Sequence, residues 1–121
     1  MNTLSIILCV LCALCGLFFT ANAQTKLTSK VLLIPLDDRP PCLQMPVKMG
    51  LIGDVEVVTP SRNLLGRFTE FGKSDEIIKW IKTQNLKSFD AAIISLDMLA
   101  YGGLVAMREY ETSAETALKR A

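Results

Sequence analysis

Residues 31–40 read Val31-Leu32-Leu33-Ile34-Pro35-Leu36-Asp37-Asp38-Arg39-Pro40, an unbroken apolar run that meets a proline and then turns acidic. A strand with one face in water alternates apolar and polar residues, whereas a strand covered on both faces does not. The run therefore predicts a buried strand of a parallel sheet. Pro35 has no N–H for a ladder, so the strand either ends there or lies at an edge. Proline is favoured in the first turn of a helix, and a helix over residues 41–49 is expected next, with Pro46 counting against its interior.

The same alternation continues down the chain. Residues 55–59 (VEVVT) form a second strand stopped by Pro60, and residues 61–69 (SRNLLGRFT) read as a loop or short helical turn. Ser74-Asp75-Glu76 opens the clearest helix: a serine suited to capping, then two acids at the positive end of the dipole. Ile77, Ile78, Trp80 and Ile81 give that helix one apolar face. Residues 89–96 (FDAAIISL) read as a third buried strand, Tyr101-Gly102-Gly103 as a turn, and Thr112-Ser113-Ala114-Glu115 as the capping box of a last helix. The order β-α-β-α-β-α predicts the α/β class, a parallel sheet of β-α units. Three strands buried on both faces need more cover than three helices supply. Residues 24–121 are therefore expected to be the front part of a larger Rossmann-like or barrel domain.

Upstream of this pattern, residues 4–19 (LSIILCVLCALCGLFF) carry no charge and lead to Ala21-Asn22-Ala23. An apolar core closing in small-x-small predicts a cleavable signal peptide over residues 1–23, cut between Ala23 and Gln24, and hence export to the periplasm or beyond the cell. The α-amino group is the only positive charge before the run. The alternatives are an uncleaved anchor, for which the run is short, and a lipoprotein, for which Leu8, Leu11 and Leu14 before Cys9, Cys12 and Cys15 are too large. Cleavage leaves no expected membrane span.

All thirteen basic and twelve acidic residues lie beyond residue 23, without a block of either sign. A nucleic-acid binder would show a basic face, so nucleic acid is not an expected partner. Cys42 is the one cysteine beyond the signal, which excludes an internal disulfide framework there; a small buried hydrophobe is its plainest role. The chain has no histidine, no G-x-x-x-x-G-K-[ST] and no G-x-G-x-x-G. Within these residues, Ser-His or Cys-His couples, His-containing zinc sites and the common phosphate loops are thus absent.

In parallel α/β folds, ligands bind beyond the carboxyl ends of the strands. The polar residues there are Asp37, Asp38 and Arg39, then Ser61 and Arg62, then Asp97 and Tyr101. If the strand ends share a rim, Asp37, Asp38 and Asp97 are the candidate catalytic carboxylates. They could hold Mg²⁺, Mn²⁺ or Ca²⁺ through oxygen, or divide general-acid and ionised roles as in glycoside hydrolysis. Arg39 and Arg108 could bind an anionic group or neutralise the acids. Tyr101, Gly102 and Gly103 complete the candidate substrate-binding set. Each has a structural alternative: an aspartate at a strand-to-helix junction is a common N-cap, paired glycines make tight turns, and a tyrosine packs. The residues specify no cofactor and no oligomeric state.

Three of these stretches are similar to one family. IPLDDRP (34–40), PSRNLLG (60–66) and SLDMLAYGGL (95–104) resemble the N-terminal part of a bacterial domain of unknown function with an LPLDDRP opening and a SLDMLAYGGL block. The likeness covers nearly all of residues 24–121. It departs at Pro41-Cys42, where the family has Val-Asn, and at Met107-Arg108, where it has Ser-Arg. The family's proteins are several times longer. The resemblance implies a larger α/β protein without an assigned activity. On residue chemistry, two functions are expected: an exported hydrolase acting on a carbohydrate or cell-envelope compound, or a non-catalytic exported protein holding a small ligand or divalent cation.

Overall fold

A computed structural model describes residues 27–67, 69–109 and 112–121. The expected signal peptide, with its cut after Ala23, lies outside the described residues. No helix among the described residues is long and apolar enough to cross a membrane.

The element order is β1 (Ser29–Ile34), α1 (Gln44–Ile52), β2 (Val55–Val58), α2 (Ser74–Thr83), β3 (Ala91–Ile94), α3 (Leu96–Tyr101), α4 (Leu104–Glu109) and α5 (Ala114–Arg120), with single 3₁₀ turns at Arg62–Leu64 and Leu86–Ser88. The three strands form a parallel sheet in the order β2-β1-β3, not closed into a barrel. Val31 faces Val57 on one side and Ala91 on the other. The fold is α/β with a parallel sheet. Leu32, Leu33 and Ile34 are all buried. Adjacent strand residues point to opposite faces, so this end of β1 is covered on both. Pro35 ends the strand, and β1 is the central strand rather than an edge.

Four local expectations are corrected. The first concerns β3, which is shorter than expected and exposed throughout; Ile93 retains 60% of its accessible surface. The reason is where α2 spends its apolar stripe. Ile77 packs with Ile34, Leu43, Leu65, Met98 and Leu99, and Ile78, Trp80 and Ile81 lie against that cluster, which leaves β3 without a covering helix among the described residues. The second concerns residues 96–101, which are helical. The stretch is only six residues long and is interrupted by Asp97, too short to show a helical period, so the pattern could not separate strand from helix.

The third correction is Ser74. The N-cap of α2 is Lys73, and the Ser74 hydroxyl donates instead to the Met98 carbonyl at 2.8 Å, in a buried position. The last is the cap of α5: Ser113, not Thr112, accepts from the Thr116 N–H. The helix after β1 also starts later than expected, at Gln44, which puts Pro46 in its first turn where the missing N–H costs nothing.

β3 is pinned to β1 at both ends. The Lys30 N–H donates to the Asp90 carboxylate at 2.7 Å and the Asp90 N–H returns to the Lys30 carbonyl. The Ser95 N–H donates to the Ile34 carbonyl at 2.9 Å. α1 lies against β2, while α2, α3 and α5 pack on one another beyond the strand ends.

Candidate functional site

Past β1 the chain is held in a compact turn. The Cys42 and Leu43 N–H groups both donate to the Arg39 carbonyl at 3.0 Å, and Met45 N–H reaches the Pro40 carbonyl at 2.8 Å. Prolines at 40 and 41 restrict this turn before α1 begins. Asp37 and Asp38 diverge at its start. The Asp37 carboxylate accepts from the Arg39 N–H at 3.1 Å and from Arg39 Nε at 2.6 Å, with a further contact from Nη2. Asp38 is buried, and one of its oxygens accepts from Arg62 Nε at 3.1 Å and Nη2 at 3.0 Å.

Partial burial pushes the Asp37 carboxyl up, but the Arg39 hydrogen bonds and charge, with help from the Cys42 thiol, outweigh it. The carboxyl is held below its ordinary value of 3.8. Burial pushes the Cys42 thiol above its ordinary 9.0, and the neighbouring Asp37 carboxylate adds to this. Asp37 is thus an ionised acceptor and Cys42 a protonated thiol.

Three loops meet beside this turn. The Asp38 N–H donates to the Gly66 carbonyl at 3.3 Å, and the Gly72 N–H to the Gly102 carbonyl at 2.7 Å. A Cβ on Gly66 would come within 2.8 Å of the Glu70 carbonyl, and one on Gly102 within 2.7 Å of the Gly72 carbonyl. Gly102 and Gly103 have φ of +90° and +118°, left-handed values that close α3. Gly103 backs onto the Leu36 carbonyl. Backbone approaches this close admit only glycine.

The junction frames a cleft of about 280 Å³. Asp37, Arg39, Thr69 and Glu70 supply its polar groups, and Gly66, Gly102, Leu104 and Val105 the rest of its lining. Of the residues singled out from sequence, Asp37, Arg39 and Gly102 line this cleft, Gly103 supports it and Asp38 lies buried beside it. Tyr101 and Asp97 line a separate cleft against Ala114, Ala117 and Leu118. Arg108 is exposed on α4. Among the described residues, no group of three or more Cys, Asp or Glu side chains gathers closely enough to hold a metal ion. Of the two tasks open to Arg39, the one observed is neutralising an acid.

Thr69, Glu70, Gly72 and the Arg62 partnership were not singled out from sequence. Arg62 stood out only as a polar residue past a strand, and its partner is 24 positions away. Glu70 and Gly72 sit in a stretch with no periodic or motif signal.

Residues 31–121 match the family described as Protein of unknown function (DUF4127). No curated protein and no solved structure matches the chain.

Proposed function

The chain belongs to the DUF4127 family of proteins of unknown function, and from that premise we propose an exported α/β protein that binds a small neutral or cationic ligand, of carbohydrate or cell-envelope type, in the Asp37–Arg39 cleft. The observation that carries this is convergence. IPLDDRP, PSRNLLG and SLDMLAYGGL, which we take as the family's signature stretches, lie far apart in sequence and meet around one cleft. The parallel sheet puts the loops after its strands at one end, and here a charged loop and two glycine-bearing loops share one opening there, where ligands of parallel α/β folds bind. The charge balance sets the ligand class. Arg39 is neutralised by Asp37, so Glu70 leaves the described lining net negative, which disfavours an anionic ligand. Leu104 and Val105 offer an apolar floor of the kind a sugar ring rests on. Export rests on the signal-peptide pattern of residues 1–23, with the cut after Ala23.

Hydrolysis is the second reading, favoured by one observation: two carboxylates, Asp37 and Glu70, line the same cleft. Asp37, held ionised, would serve as nucleophile or base, and Glu70 as acid. Calorimetric titration with neutral glycosides, amino sugars, Ca²⁺, Mg²⁺ and Mn²⁺, run beside a turnover assay on nitrophenyl glycosides, tests both. Saccharide binding that weakens roughly tenfold or more in Asp37→Asn, the loss of one charge-assisted contact, supports the binding reading. Turnover of any glycoside moves the conclusion to hydrolysis. Silence across the whole panel removes both.

A further inference from the structure

Among the described residues, Arg62 directs two of its guanidinium nitrogens, Nε and Nη2, to Asp38 and makes no hydrogen bond to Asp37, Arg39 or Cys42. Asp38 is 4% exposed while Arg62 reaches it from an exposed 3₁₀ turn. The pair therefore ties the loop after β1 to the loop after β2, across the carboxyl ends of two hydrogen-bonded strands. The Asp38 N–H adds a second tie to Gly66 in the same segment. A carboxylate this buried is costly to leave unpaired, and Arg62 is the cation that pairs it.

We propose that Arg62 is a positioning residue: through Asp38 it holds the 37–42 turn against the cleft and so keeps the Asp37–Arg39 couple at the cleft mouth. Asp38 itself then acts as the anchor of the turn, with its carboxylate committed to Arg62. The functional meaning of this rests on the binding reading above, but the positioning stands on the ion pair alone. Arg62 joins the turn to a different strand end, so removing it loosens the turn without touching any group that lines the cleft.

Cys42 supplies a native reporter, since it sits in the turn, where burial first and the Asp37 carboxylate second raise its thiol pKa. In the full chain, the rate of iodoacetamide labelling of Cys42 is read by mass spectrometry on the peptide that carries it, which separates it from Cys9, Cys12 and Cys15. For Arg62→Met the rate should rise roughly three- to tenfold at fixed pH, as the loosened turn lets water and reagent reach the thiol. Arg62→Lys, which keeps a cation, should restore most of the protection. Should Arg62→Met fail to fold, Asp38→Asn answers the same question, with the same rise expected. An unchanged Cys42 rate in a folded Arg62→Met or Asp38→Asn protein overturns the proposal, as does a rise in Arg62→Lys as large as in Arg62→Met. Failure of the binding reading registers separately, as the absence of heat when wild-type protein is titrated with the saccharides.

Discussion

The carboxyl end of the sheet and its β3 edge make opposite use of their residues. At the carboxyl end, charged and small residues are enclosed: Asp38 is buried, Ser74 is buried, and three glycines pack backbone on backbone. Along β3, the chain is apolar, Ala91-Ala92-Ile93-Ile94, and all four residues are exposed. α1 repeats the second pattern, with Met45, Met49, Leu51 and Ile52 open to solvent and no buried residue. Apolar composition therefore does not decide what this chain buries. Enclosure follows the three loops, because the buried Asp38 and Ser74 side chains each have a partner there, and a satisfied polar group tolerates burial that an unsatisfied one does not.

The sharpest attack on this contrast is Gly102→Ala. The left-handed φ and the Gly72 carbonyl at 2.7 Å from the added methyl should together cost about 3 kcal/mol in a denaturant titration. A neutral result would mean the three loops are not in close contact. A smaller effect tests the polar side of the junction through acid. The Asp37 carboxyl is held below 3.8, so its contribution is fully present above that value and fades as pH falls through the lowered folded value. The stability difference between wild type and Asp37→Asn should thus be constant from neutral pH down to about pH 5, then close below pH 4, in thermal midpoints across a pH series. A difference that persists at the acid end would mean that the ionised carboxylate is not what the turn uses. The smallest effect belongs to the other region. Ile93→Thr should change unfolding free energy by about 0.5 kcal/mol or less, because an exposed side chain has little burial to lose. A loss above about 1.5 kcal/mol in the native protein would place Ile93 under a covering element and erase the contrast.

The same contrast marks how far residue patterns could be read. VLLI and AAII carry one signal, a continuous apolar run, and the strand reading was right for both. Burial was right only for β1, because a run reports what could be covered and says nothing of whether a helix is free to cover it. α2 kept its periodic face, but Ile77 turned toward Met98, Leu65 and the Ile34 end of β1 rather than toward β3. The glycine turn at 102–103 was legible because two left-handed residues in succession need glycine. The helix before it was not, since six residues, Asp97 among them, are too few to show a period. Within the site, Asp37 and Arg39 were found by their place after a strand. The Arg62–Asp38 pair needed coordinates: its partners share no motif, and any of several charges could have answered either one.

The middle position of β1 also sets an order of events in time. Its contacts with the β2 side close over 26 residues, and those with β3 over 60. The longer closure costs about 0.7 kcal/mol more in chain entropy, and it must await synthesis and collapse of everything between. The most buried strand of the sheet is thus paired on one edge first and left open on the other until β3 arrives. Until β3 arrives, the β1 edge that it covers is an unpaired row of backbone groups, the feature by which a partly folded chain can pair with its neighbours.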